Sequence, residues 1–208
     1  CKKVIITSVL EAELIKLFSN AWRYINFSIS NEFHMICENL NINYAKLRKI
    51  MINGYARNKD IPLAGFAAGP CLFKDTIQLS AFLKNKFSLG KAATLINENF
   101  PNFMLKKLKS EYKNKLRKKT IGILGLAFKP EIDDLRDSLS LKLIKLIKIN
   151  KLKVIFSDEY VKFPGVISKE ALIKKADIII LATPHSAYKK IKFPKNKKII
   201  DTWGIFEK

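Results

Sequence analysis

Thr120-Ile121-Gly122-Ile123-Leu124-Gly125-Leu126 is a short run of β-branched and other apolar residues, and it reads as a buried strand. Three similar runs follow, at 153–156, 177–181 and 198–200. Between them the residues suit helices at 138–149, 169–176 and, more briefly, 184–191. Strand alternating with helix is the pattern of a parallel sheet with right-handed crossovers. The second part of the chain is therefore α/β.

Upstream of residue 119 the rhythm is helical. Ser8 and Glu11 have capping-box spacing, in which hydroxyl and carboxylate satisfy N–H groups left open at a helix start. Leu10, Leu14, Leu17, Phe18, Ala21, Ile25, Phe33, Ile36 and Leu40 continue at helical spacing without a proline, which predicts one long helix to about Leu40. Asn43 caps a second helix over 44–52, ended by Gly54. Further helices are expected over 76–84, 89–97 and 103–118. Between the second and third lies a loop of small residues, 64–71.

The 208 residues can bury a substantial core, and 48% hydrophobic content excludes disorder. No apolar run is long enough to span a membrane, and no secretory signal pattern is present. Cys1, Cys37 and Cys71 make no even disulfide framework, which suits a reducing cytoplasm. The net charge of +21 points toward anionic partners. Its lysines, however, are scattered over helix faces, so a solvated basic surface ranks above nucleic-acid binding. An anionic small substrate would also suit that field.

Cys71 stands in Gly69-Pro-Cys-Leu-Phe-Lys74-Asp75. Flexible glycine, fixed proline, a thiol, an ammonium and a carboxylate suit covalent catalysis. The same thiol also suits a small buried hydrophobe. Lys16 and Asn20, spaced i, i+4, put two polar tips on one helix face, whether in a site or merely in solvent. Cys37 lies on an apolar stripe and reads as core. His34 and His185 have no metal ligand at suitable spacing, so no metal site is expected. Gly122-Ile-Leu-Gly125 resembles a dinucleotide loop, but G-x-G-x-x-G is absent and no helix follows directly. Lys129 and Arg136 lie beyond the carboxyl end of that strand. They are placed to meet a nucleotide diphosphate or to remain solvated loop charges.

Together these motifs resemble the UDP-glucose/GDP-mannose dehydrogenase family of NAD-dependent nucleotide-sugar 6-dehydrogenases. The resemblance runs through Lys16-Leu-Phe-Ser-Asn20, Asn31-Glu32, the Cys71 segment, Gly125-Leu-Ala-Phe-Lys129, Asp134-Leu-Arg136 and Asp201-Thr-Trp-Gly204. It implies a helical central domain at 8–110 and a Rossmann-like UDP-sugar-binding domain at 111–208. Residues 1–7 would be the trailing strand of an N-terminal NAD-binding domain that holds most of the cofactor. Catalysis would rest on Cys71, Lys16, Asn20 and Asp75. Substrate would meet Lys129, Arg136, Gly69, Phe66 and, from a neighbouring subunit, Arg57. Lys74 and Arg136 would face the NAD side. The partners implied are a UDP-sugar and a second copy bound through the long helix. Phe73, where many members carry proline, and Trp203, where some carry arginine, leave the sugar open.

Overall fold

In the computed structural model, which describes residues 4–206, the chain folds as helices followed by a parallel sheet. Helix α1 runs Val9–Asn39, and Ser8 and Glu11 close the expected capping box. Asn43 caps α2 (Tyr44–Ile52). Then come α3 (Pro70–Phe82), α4 (Ser88–Tyr112), β1 (Thr120–Leu124), α5 (Leu139–Ile149), β2 (Lys153–Ser157), α6 (Lys169–Lys175), β3 (Ile178–Leu181) and β4 (Lys198–Asp201). The strands are all parallel, in the order β2-β1-β3-β4, with Ile121 paired to both Val154 and Ile178.

Three details differ from the sequence reading. Helix α3 starts at Pro70, so Cys71 occupies its first turn and not a loop. Proline suits this first position because its fixed φ is helical and no N–H is needed there. Helix α4 continues through Pro101, where the sequence predicts two helices. Burial of Phe100, Pro101, Met104, Leu105 and Leu108 holds it together despite the missing donor. Residues 4–7 join no ladder, and residues 1–3 of the expected trailing strand lie outside the described residues.

One apolar cluster joins the two parts. Phe66 from the loop before α3 and Phe100, Met104 and Leu108 from α4 pack continuously with Ile121, Ile123, Leu143, Ile147, Ile178 and Ile180 around the sheet. A shared core fixes the helical wall against the carboxyl ends of β1 and β3, where the cleft lies. Among the described residues no helix is long and apolar enough to cross a membrane.

Candidate active site

Helix α1 presents Asn20, Arg23 and Phe27 along one face, three and four residues apart, and they form one wall of a cleft of about 540 Å³. Ala67, Ala68, Gly69, Cys71 and Leu72 form the floor. Phe128, Lys129, Pro130, Pro184 and Trp203 come from loops beyond the sheet.

The floor is seated by buried hydrogen bonds. Asn31, fully buried on α1, accepts from the Gly65 N–H at 2.8 Å and donates to Asn97 at 2.9 Å. Asn97 in turn donates to the Tyr24 carbonyl at 3.1 Å. Gly65 and Gly69 both have positive φ, and a Cβ on them would lie 2.2 Å from the Trp203 ring and 2.5 Å from the Phe128 ring, respectively. The missing side chains let the floor lie directly against two aromatic rings of the sheet part. Trp203 is fixed from its other side, donating to the Ala182 carbonyl at 3.0 Å and meeting Phe27 edge-on.

Three of the expected catalytic groups meet. Asp75, one helical turn after Cys71, is almost completely buried. Its Oδ2 accepts from Asn20 Nδ2 at 2.6 Å and lies 3.3 Å from Lys16 Nζ. Lys16 is 65% exposed against 4% for Asp75, so the ammonium is tethered yet open to solvent. Cys71 is free and exposed at the N-terminus of α3, where the helix dipole favours negative charge in the adjoining space.

Other expectations fare differently. Lys129 and Gly69 line the cleft. Phe66 does not: it is 2% exposed and packs edge-on against Phe100, because its side chain points into the shared core. Arg57, on a 3₁₀ turn at Ala56–Asn58, and Lys74 on α3 are exposed and outside the cleft lining. Arg136 also lies outside it, held by two nitrogens on the Asp134 carboxylate. Asp134, and more weakly the Cys71 sulfur, hold its guanidinium above its usual range. Arg23 has no place in the sequence reading, although it extends the Lys16–Asn20 face by one more turn. No cluster able to hold a metal occurs among the described residues.

The sheet does not fit a dinucleotide. After β1 the N–H groups of Leu126 and Ala127, which would receive phosphate, donate to the Asp158 carboxylate at 2.5 and 3.2 Å. That carboxylate also meets His185 Nε2 at 3.1 Å, and both side chains are fully buried. Burial raises the Asp158 pKa, but His185 and backbone donors outweigh it and hold the group at about 2.

Comparison with known proteins gives a consistent set. The family model for the central domain of the UDP-glucose/GDP-mannose dehydrogenase family matches residues 10–99. The model for that family's UDP binding domain matches residues 122–208. The UDP-N-acetyl-D-mannosamine dehydrogenase of Pyrococcus horikoshii is 30% identical over 214 residues, covering 99% of this chain and 51% of that protein. A solved structure of UDP-D-ManNAc dehydrogenase from the same organism aligns with a TM-score of 0.82 at 30% identity, covering 98% of this chain and 50% of that one. The NDP-N-acetyl-D-galactosaminuronic acid dehydrogenase of Ralstonia nicotianae is 26% identical, covering 98% of this chain and 50% of that protein. The chain thus spans about half the length of these relatives.

Proposed function

The chain belongs to the UDP-glucose/GDP-mannose dehydrogenase family, and on that premise we propose that it carries the catalytic-cysteine and UDP-binding parts of an NAD-dependent nucleotide-sugar 6-dehydrogenase. The observation that carries this reading is the meeting of Lys16, Asn20 and Asp75 one helical turn from an exposed Cys71, beside a cleft of sugar-nucleotide size.

In the proposed reaction the C6 alcohol of a UDP-sugar becomes a carboxylate. NAD, held mainly by residues other than these, supplies the acceptor for the two hydrides removed. The Cys71 thiolate adds to the C6 aldehyde carbon, forming a C–S bond, and the carbonyl electron pair moves onto oxygen. Lys16 and Asn20 donate to that oxygen; one well-placed donor is typically worth about 3–4 kcal/mol. Loss of the second hydride leaves a thioester. Asp75 orients the attacking water through the carboxylate oxygen that Asn20 and Lys16 do not hold. Water adds, the C–S bond breaks, and thiolate and carboxylate separate. Lys129 and Arg23 face the diphosphate and the sugar, and Arg136 can leave Asp134 for an anionic ligand.

The same reading includes a homodimer. Ile15, Phe18, Trp22, Ile29, Phe33, Ile36 and the C-cap residue Leu40 stand exposed along α1 at steps of three, four or, once, seven residues, as an apolar helix–helix seam requires. Arg57 would reach the neighbouring copy's substrate. A cytoplasmic setting suits the free thiols of Cys37 and Cys71.

Cys71→Ala tests the assignment in the whole dehydrogenase: acid formation is lost while UDP-sugar still binds by calorimetry. Undiminished acid would defeat it. A second reading follows from the half-length match: a module that binds UDP-sugar and pairs without turnover. UDP-sugar binding with no NADH absorbance from the 208-residue chain favours the module for this chain alone.

A further inference from the structure

In dinucleotide folds, the N–H groups after the first strand take pyrophosphate, and a later acidic residue takes a ribose hydroxyl. Here those two determinants satisfy each other. Asp158 follows β2 directly and turns inward, so its Oδ2 accepts the Leu126 and Ala127 N–H groups. Its Oδ1 accepts the N–H groups of Tyr160 and Val161 at 2.8 and 3.0 Å.

His185 extends the lock. Its Nδ1 accepts the Glu131 N–H at 3.1 Å, which leaves the ring proton on Nε2 to be donated to Asp158. Glu131 then accepts the Ser186 N–H at 2.6 Å and the Tyr160 hydroxyl. Ala127 is pinned a second time, its carbonyl accepting from the Thr183 hydroxyl at 2.6 Å. Residues 127–131 are thus held at both ends, and between the pins lie Phe128, Lys129 and Pro130, all on the cleft. Pro184, next to His185, is on it too.

We propose that Asp158 is a positioning residue, an internal anion that occupies the β1 loop where a nucleotide phosphate would sit and holds Lys129 and Phe128 against the cleft. The sheet gives up its own phosphate site and uses the same amides to shape a binding surface one layer away. The binding half of this inference rests on the UDP-sugar reading above; the phosphate-site half does not.

The test uses the 208-residue protein with inorganic pyrophosphate and UDP as probes. By amide-resolved NMR, pyrophosphate leaves Leu126 and Ala127 unshifted in the wild type and shifts them in Asp158→Ala. Calorimetry with UDP shows roughly tenfold weaker binding in Asp158→Asn and in Lys129→Ala. The double variant binds no worse than the weaker single one, because a released segment already withdraws Lys129. Additive losses overturn the proposal, as do pyrophosphate shifts at those amides in the wild type. If the Asp158 variants fail to fold, His185→Gln replaces them in the calorimetry arm with the same expectation, and the wild-type pyrophosphate spectra decide the phosphate-site half. If UDP does not bind the wild type, the UDP-sugar reading fails, and the pyrophosphate arm still decides whether Asp158 fills a phosphate site.

Discussion

The helical part buries the Asp75 carboxylate and the sheet part the Asp158 carboxylate, and the two are served by opposite kinds of partner. Asp75 meets side chains, an amide and an ammonium that reaches solvent. Asp158 meets four backbone N–H groups and a buried imidazole. Side-chain donors can change partner during a reaction, whereas backbone donors are fixed by the fold. Burial therefore does not separate a reactive carboxylate from a structural one, but the mobility of its partners does.

Replacement of each acid should split accordingly. Asp158→Ala orphans buried donors and should cost about 3–5 kcal/mol in urea unfolding. Asp75→Ala should cost under about 2 kcal/mol, yet slow acid formation in the whole dehydrogenase about a hundredfold or more. Equal stability losses would erase the distinction.

Acid should also address the two parts in sequence. His34 on α1 is lowered from 6.5 to about 4, first by burial and then by the nearby Lys107 charge. The unfolded chain then binds the extra proton, so stability is full above pH 6.5 and falls as pH drops toward 4. The loss is up to about 3 kcal/mol. Asp158, lowered from 3.8 to about 2, acts in a later window. Its contribution is intact above pH 3.8 and is lost as pH falls through 2, because the folded state resists the proton that the unfolded state accepts. Urea midpoints from about pH 7 to about pH 4 should therefore decline in the wild type and flatten in His34→Phe. An unchanged slope would contradict the buried neutral histidine.

Smaller effects probe the seam between the parts. Gly65→Ala should destabilise by about 1–3 kcal/mol, since its methyl group meets the Trp203 ring. It should weaken UDP as well, because floor and ring both belong to the cleft. Arg23→Ala should raise the UDP-sugar Kd by about tenfold with little change in unfolding midpoint. A Kd that does not move would remove Arg23 from the binding wall.

Much of the fold is legible locally. Ser8 and Glu11 cap through neighbours three apart, and each strand is a short apolar run bounded by polar residues, so nearby residues suffice. The sequence misleads where distant packing decides the outcome. Pro101 breaks a helix in isolation, but buried Phe100 and Met104 keep it whole. Phe66 sits among small residues that look like a ligand loop, yet its ring belongs to the core. In the site, Lys16 and Asn20 are legible from spacing, and the same periodicity could have added Arg23. The pairing of Asp158 with His185 leaves no local trace, because the two residues lie on different loops brought together only by the parallel crossover.

The most direct measurement is mass spectrometry of the whole dehydrogenase carrying Asp75→Asn, quenched during turnover with NAD and UDP-sugar. The expected result is a UDP-sugar acyl adduct on the peptide containing Cys71, which accumulates because water is no longer oriented for release. Normal acid formation from a Cys71→Ala enzyme, with no adduct on that peptide in the Asp75→Asn variant, would contradict the central role given to that sulfur.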